Sequence, residues 1–230
     1  MEKPSSGSTT SSRRYDASRR QADARARRLR IVETARDLFL ERGFGATSIE
    51  QVAKGAEVSV QTVYAVFKSK PGLLSAVLDL AVAGDDAPVM VRDRPDLAWY
   101  REVEDPVEWL QRSVRYVRHL HTRSAELLHL VNSVAGADPA LDELAGALND
   151  GRRADSRLAI DGGPFDLDSI GMTLEEAGDV LATLAHPVTW IELVVHGGWT
   201  PQRYEAWLLD LLVHTFVPGA RGVEPLPEGD

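Results

Sequence analysis

Apolar positions recur at three- and four-residue intervals along most of the 230-residue chain, a period that predicts helices. Leu29, Val32, Ala35, Arg36 and Phe39, with Ile31 and Leu38 widening the stripe, give a first amphipathic helix that Arg42 and Gly43 close. Thr47-Ser48-Ile49-Glu50 has capping-box spacing, with Thr47 placed to accept from the backbone N–H of Glu50. The short helix that follows turns Ile49, Val52 and Ala53 inward and cannot run far past Gly55. Ser59 caps another short helix in which Val63, Val66 and Phe67 are spaced for a core, leaving Val60, Gln61 and Tyr64 partly available outside. Ser69 opens a fourth helix with Leu73, Leu74, Val77 and Leu78 as its buried stripe.

Residues 84 to 105 mix Gly, Pro and charge and read as a linker or a loosely packed excursion. Helix starts are then predicted at Asp105-Pro106, Asp138-Pro139 and Thr200-Pro201, each a cap acceptor followed by a first-turn proline. Thr173-Leu174-Glu175-Glu176 repeats the capping-box spacing, and the Gly- and Asp-rich run from Asp161 to Gly171 reads as a loop. In the last helix Tyr204, Trp207, Leu208, Leu211, Leu212 and Phe216 line one side, and Leu209 and Val213 extend the apolar character around it. The helix before it carries Leu174, Leu181, Leu184, Val188, Ile191, Val194 and Val195 on more than one face. A helix apolar over most of its circumference needs cover on both sides, from a partner subunit or from other helices of the same chain. Strand-like alternation is absent, so the fold class is all-α: a three-helix domain with a helix-turn-helix, followed by a larger helical domain. The expected division is a disordered basic tail over 1–20, the helix-turn-helix domain over 21–70, a larger helical domain over 71–217 and a flexible tail over 218–230.

Charge changes this picture. The formal total is −9, but residues 1 to 80 carry 14 Lys and Arg against 9 Asp and Glu, a net of +5, and residues 81 to 230 carry 12 against 26, a net of −14. An acidic body repels a phosphate backbone that the basic end attracts, so this polarity orients the molecule on a polyanion. In the expected tail, Arg13, Arg14, Arg19 and Arg20 are available to order along a DNA groove. The chain has no cysteine, which excludes disulfides, thiolate metal sites and cysteine nucleophiles. No signal-peptide pattern or uninterrupted apolar run of membrane-span length is read, so the expectation is a cytoplasmic protein without a membrane partner.

The paired short helices carry the functional reading. The second is short enough to project, and basic residues flank the pair on both sides. In a major groove, Gln61 and Thr62 can meet base-edge donors and acceptors, and Val60 or Ala65 can touch thymine methyls. No phosphate-loop, dinucleotide, zinc-protease or nucleophile-elbow spacing is present, and His119, His121, His129, His186 and His196 form no compact metal-ligand spacing. The expectation is therefore a non-enzyme without metal or cofactor. A helical dimer that binds a ligand or a protein without specific DNA binding is the alternative, and Arg25, Arg27, Arg28 and Arg30 beside the motif weigh against it.

The run Ile31-Val32-Glu33-Thr34-Ala35, Leu38-Phe39, Gly43-Phe44, Thr47-Ser48-Ile49, Val52-Ala53, Val58-Ser59, Thr62 through Lys70 and Leu73-Leu74 resembles the N-terminal domain of TetR-family transcriptional regulators. Near the end, Trp190, Gly197 through Pro201 and Tyr204 through Leu208 resemble the last two helices of one group of that family. The resemblance implies phosphate contacts from Thr47, Tyr64 and Lys70, with base reading by Val60, Gln61, Thr62 and Ala65. Gln61 stands where many relatives have glycine, so the reading surface is bulkier. The resemblance further implies a homodimer formed through the last helix pair, from Leu184, Val188, Ile191, Val195, Tyr204, Trp207, Leu208, Leu211, Leu212 and Phe216, on a pseudopalindromic double-stranded operator. It also implies a cavity for a small-molecule ligand, for which Trp109, Tyr116, His119, Met172, His186 and Trp190 combine apolar surface with polar contacts. The implied function is a repressor that its ligand releases from the operator.

Overall fold

The computed structural model describes residues 9–84 and 95–227, and every regular element among them is helical. The chain divides into two units, Met1–Val77 and Leu78–Asp230. The boundary thus falls later than residue 70, because helix α4 (Lys70–Ala83) contributes its first turns, with Leu73, Leu74 and Val77 buried, to the N-terminal unit.

In that unit α1 (Thr9–Ala46) buries Ile31, Val32, Ala35 and Phe39 and breaks at Gly43, whose φ of 78° favours glycine. The helix starts inside the segment expected to be a disordered tail. Residues 9–20 are helical, continuous with an Ala-, Gln- and Arg-rich stretch of high helix propensity, whereas residues 1–8 lie outside the described residues. Helix α2 (Ile49–Gly55) is capped by Ser48, one residue later than predicted. Ser48 Oγ accepts from the Gln51 N–H at 3.3 Å, and Gln51 Oε1 accepts from the Ser48 N–H at 2.7 Å. The register shifts because the buried Thr47 hydroxyl is turned back to donate to the carbonyls of Leu38 and Gly43, at 3.0 and 2.9 Å, satisfying groups freed by the Gly43 break.

A tight turn joins α2 to α3 (Val60–Phe67). The Val58 N–H bonds the Ala53 carbonyl at 2.9 Å and the Glu57 N–H bonds that of Lys54 at 3.3 Å, a Schellman closure with Glu57 at φ 55°, where glycine is the usual residue. A β-carbon on Gly55 would stand 2.7 Å from Thr34 Cγ2, so α1 and α2 approach closely only with glycine there. Ser59 caps α3 by accepting from the Thr62 N–H at 3.1 Å. At its other end Lys68 (φ 67°, ψ −44°) sits at the centre of a γ-turn of the strained hand, closed by the Ser69 N–H on the Phe67 carbonyl at 2.8 Å. Ser69 Oγ then accepts from the Gly72 N–H and starts α4.

The C-terminal unit opens with a 3-10 helix, Pro95–Arg101, inside the expected linker, the rest of which lies partly outside the described residues. It is ordered by Trp99 and Tyr100, which pack on the core, and by the Trp109 indole N–H, which donates to the Tyr100 carbonyl at 3.1 Å. Next come α5 (Pro106–Val134), α6 (Pro139–Asp161), α7 (Leu167–Ile170), α8 (Leu174–Leu184), α9 (Pro187–Trp190), a π-helical stretch Ile191–His196, and α10 (Pro201–Phe216). Asp105, Asp138, Thr173 and Thr200 cap their helices as their spacing predicts. Helix α5 packs along α10, and α6 along α8, where Arg153 and Arg157 pair with Asp179 at 3.1 and 3.2 Å.

The penultimate helix is not continuous. His186 ends one segment and caps the next through Nδ1, which accepts from the Val188 N–H at 3.1 Å, because Pro187 supplies no N–H to carry the ladder on. By length and composition alone Leu174–His196 passes as long and apolar enough to cross a membrane, although it is not an uninterrupted apolar run. That stretch is broken at His186-Pro187, carries Glu175, Glu176, Asp179 and Glu192, and packs Ala177, Leu181, Trp190 and Ile191 into the core.

The expected flexible tail is also corrected over its described part, 218–227. Val217, Ala220 and Val223 pack on the core, Gln111 donates to the Glu224 carbonyl at 2.5 Å, and Arg115 donates to the carbonyls of Leu226 and Pro227. Arg115 also faces Glu205, Nε to Oε1 at 3.9 Å, beside the buried pair Arg118–Glu205 at 2.5 Å. Removing one member of such a pair strands a desolvated charge. Glu205→Ala is therefore expected to lower unfolding free energy by about 3–5 kcal/mol in urea titrations, and Glu205→Met combined with Arg118→Met by much less.

Candidate nucleic-acid interface

Helix α3 is held by two inward side chains, Val63 and Phe67, and successive residues rotate by about 100°. The position opposite that pair is Ala65, which Gln61 and Thr62 flank; Ala65 and Gln61 are exposed and Thr62 is half-buried. Val60 lies near the edge of the packed side and is half-buried. Tyr64 and Val66 border the outward face on its two sides, 47% and 43% exposed. The placement of Val66 in the core is thus corrected: its rotation carries it past the α3 face that Val63 and Phe67 occupy. The Thr62 hydroxyl is shared with Ser59 Oγ at 2.9 Å, which holds it at the first turn of α3.

Of the three expected phosphate ligands the structure brings two to the surface. Tyr64 is exposed, and Lys70 is half-buried with Nζ 4.2 Å from the Phe44 ring centroid and 3.5 Å from the Gly45 carbonyl. Partial burial lowers the Lys70 ammonium below its ordinary pKa. Thr47 does not belong with them, since its hydroxyl is buried and already donates within the domain. Arg28, unassigned from the sequence, stands 5.3 Å over the Phe67 ring at the end of α3.

Of the residues expected to contact a ligand, Trp109, Trp190 and Met172 share one apolar core. Trp109 is buried beside Tyr100 and Phe165, with Tyr116 and Met172 half-buried at the margin of the same core. Trp190 is buried beside Tyr204 and His121. His119 is exposed, because the buried stripe of α5 runs through Val114, Arg118, His121 and Ala125; the three-and-four spacing from Val114 could have selected His121. His121 Nδ1 lies 3.4 Å from the Tyr204 hydroxyl, which lies 3.0 Å from Thr189 Oγ1, and Thr189 donates to the His186 carbonyl at 2.7 Å. Burial pushes the Tyr204 phenol up to about 12. Burial first, then the neighbouring His186 and Arg152, pushes His121 down to about 3.

The expected dimer residues also divide. Ile191, Tyr204, Leu208, Leu212 and Phe216 are buried within the chain's own core, because α5 and α8 cover that face of α10. Val188 and Val195 are each 45% exposed, and Leu184, Trp207 and Leu211 are half-buried.

These elements define an all-α protein whose N-terminal unit is a helix-turn-helix domain. Residues 31–77 match the model of the bacterial regulatory proteins of the tetR family. The chain is 36% identical over 58 residues to the HTH-type transcriptional regulator UidR of Escherichia coli K12, covering 25% of this chain and 30% of that one. It is 39% identical over 49 residues to the HTH-type transcriptional regulator YvkB of Bacillus subtilis, covering 21% and 26%. The sequence likeness to these relatives thus spans less than a third of their length. The fold likeness is wider. NalD, the secondary repressor of the MexAB-OprM multidrug efflux pump in Pseudomonas aeruginosa, superposes with a TM-score of 0.63 at 22% identity, over 86% of this chain and 100% of that one. A transcriptional regulator from Aquifex aeolicus superposes with a TM-score of 0.60 at 15% identity, over 83% and 99%.

The buried imidazole sets a pH dependence. Its pKa is depressed in the folded state, so between about pH 6.5 and about pH 3 the unfolded chain binds the extra proton and acid destabilises the fold. His121→Asn is expected to remove up to about 1.4 kcal/mol per pH unit from the slope of stability against pH in that window and to leave the slope above pH 7 unchanged. Urea midpoints at stepped pH check this, and an unchanged acid slope rejects the buried neutral imidazole.

Proposed function

We propose that this chain is a transcriptional repressor that binds a pseudopalindromic double-stranded operator as a homodimer and is released by a small-molecule ligand. The observation that carries the reading is the outward face of α3: a short, doubly capped helix held by two side chains, presenting Gln61, Ala65 and part of Thr62 away from its own domain. Such a helix fits a major groove, where Gln61 and Thr62 meet base edges and Ala65, with Val60 at the rim, meets thymine methyls. Tyr64 and Lys70 bind phosphates on either side and set position without reading sequence. Reading DNA places the chain in the cytoplasm.

Dimerisation is assigned to Val188 and Val195, which are exposed, with the half-buried Leu184, Trp207 and Leu211, the members of the expected set that their own subunit does not bury. Two-fold symmetry then sets the recognition helices about 34–36 Å apart, on successive major-groove faces. The ligand acts in the C-terminal unit, where the His121–Tyr204–Thr189 chain beside Trp190 offers polar partners. It releases DNA by binding more tightly to a dimer whose recognition helices are wrongly spaced.

A band-shift titration with DNA from around the chain's own gene, in the presence of competitor DNA and from low to moderate salt, is expected to give a specific complex; none at any salt overturns the reading. On that DNA, Lys70→Ala is expected to weaken all operator variants alike and reduce the slope of log affinity against log salt by about 1, whereas Gln61→Ala reorders which variants bind best. For the interface, Val188→Glu with Val195→Glu is expected to sediment as a monomer with folded-state circular dichroism; a dimer of unchanged affinity rejects the assignment.

A further inference from the structure

Helix α1 begins well before the core it serves. Its first buried residue among those described is Ile31, and from Arg19 to Arg28 every residue is exposed. Within Arg19–Arg30 the side chains of Arg19, Arg20, Arg25, Arg27, Arg28 and Arg30 face a single carboxylate in the same stretch, Asp23. Ala22, Ala24 and Ala26 supply helix propensity, but a segment that is polar all round gains nothing from a core.

Its position is set at one point. Reading back from Phe39 at helical spacing, the inward stripe runs Ala35, Val32, Arg28, Arg25, Gln21, so the face that packs the domain changes from apolar to basic at Arg28. Arg28 stands over Phe67, at the end of the recognition helix and next to Lys68. Arg19 to Arg27 therefore continue the α1 axis from that junction for about 12 Å at 1.5 Å per residue.

We propose that Arg19–Arg30 is a helical arm that binds the sugar-phosphate backbone of duplex DNA beside the groove that α3 enters. The inference rests on the DNA-binding reading of α3 and adds to it a second, sequence-independent contact. Guanidinium groups keep their charge at any working pH and match phosphate geometry. The arm has the charge for a polyanion and lacks the apolar face by which an amphipathic helix lies in a membrane.

The test uses the full chain with Arg19, Arg27 and Arg30 changed together to Gln, and a second variant with the same three changed to Lys. The probe is a labelled mixed-sequence DNA duplex of about 30 base pairs, roughly three helical turns. The expected result is that the Gln variant, with an unchanged thermal midpoint, loses about 0.9 in salt slope for each phosphate contact removed, up to about 2.7. The Lys variant keeps the wild-type slope. A Gln variant with wild-type slope and affinity, while the wild type binds the duplex, overturns the arm and leaves the α3 reading intact. Failure of the wild type to bind any duplex at low salt overturns both. Loss of binding to phosphatidylserine vesicles with no change on DNA also overturns the arm and assigns the arginines to a membrane.

Discussion

An eight-residue helix has too few internal hydrogen bonds to persist in water, so whatever α3 does depends on what holds it. Val63 and Phe67 are its buried anchors, one turn apart. Ser59 satisfies donors at the start, while Lys68 ends the helix in a backbone conformation that side chains adopt at a cost. Glu57 accepts a similar conformation in the turn before it. Both residues of positive φ bracket α3, whose outward face at Gln61 and Ala65 is exposed. The neighbouring α1 and α2 pack through Gly55 against Thr34, and the Thr47 hydroxyl ties α2 to the Gly43 break. The consequence is a short surface whose direction is set by packing and by local hydrogen bonds.

Legibility in the sequence followed the physics of each element. Proline-led helix starts at Asp105, Asp138 and Thr200 read correctly because a cap acceptor and a fixed φ act within four residues and do not depend on the rest of the fold. The capping box at α2 was misplaced by one residue because Thr47 and Ser48 satisfy the same local rule. What decides between them is the Gly43 break, a contact outside the window. Val66 was misassigned for a related reason: in two turns of helix, three apolar positions suggest a wider buried stripe than two anchors require.

The C-terminal unit was less legible because periodicity identifies apolar faces without saying what covers them. The apolar circumference of α10 is used mostly by its own subunit, where α5 and α8 take Tyr204, Leu208 and Leu212, so the surface left for another copy is narrower than the sequence pattern. His186-Pro187 looked like part of a continuous helix, yet Pro187 removes a donor and the imidazole replaces it. The polar chain through His121, Tyr204 and Thr189 joins residues far apart in sequence, which no spacing rule connects.

Charge is segregated along the chain. Residues 1 to 80 carry a net +5 and residues 81 to 230 a net −14, so a polyanion attracts the first stretch and is repelled by the rest. The stripe of α1 shows how little sequence this takes: Val32 and Ala35 hold the domain together, and one helical turn earlier Arg28 already looks past it, over the ring that ends α3. A core-packing stretch and an arginine-bearing stretch thus follow one another in a single helix, and the packing that fixes the first sets the place of the second.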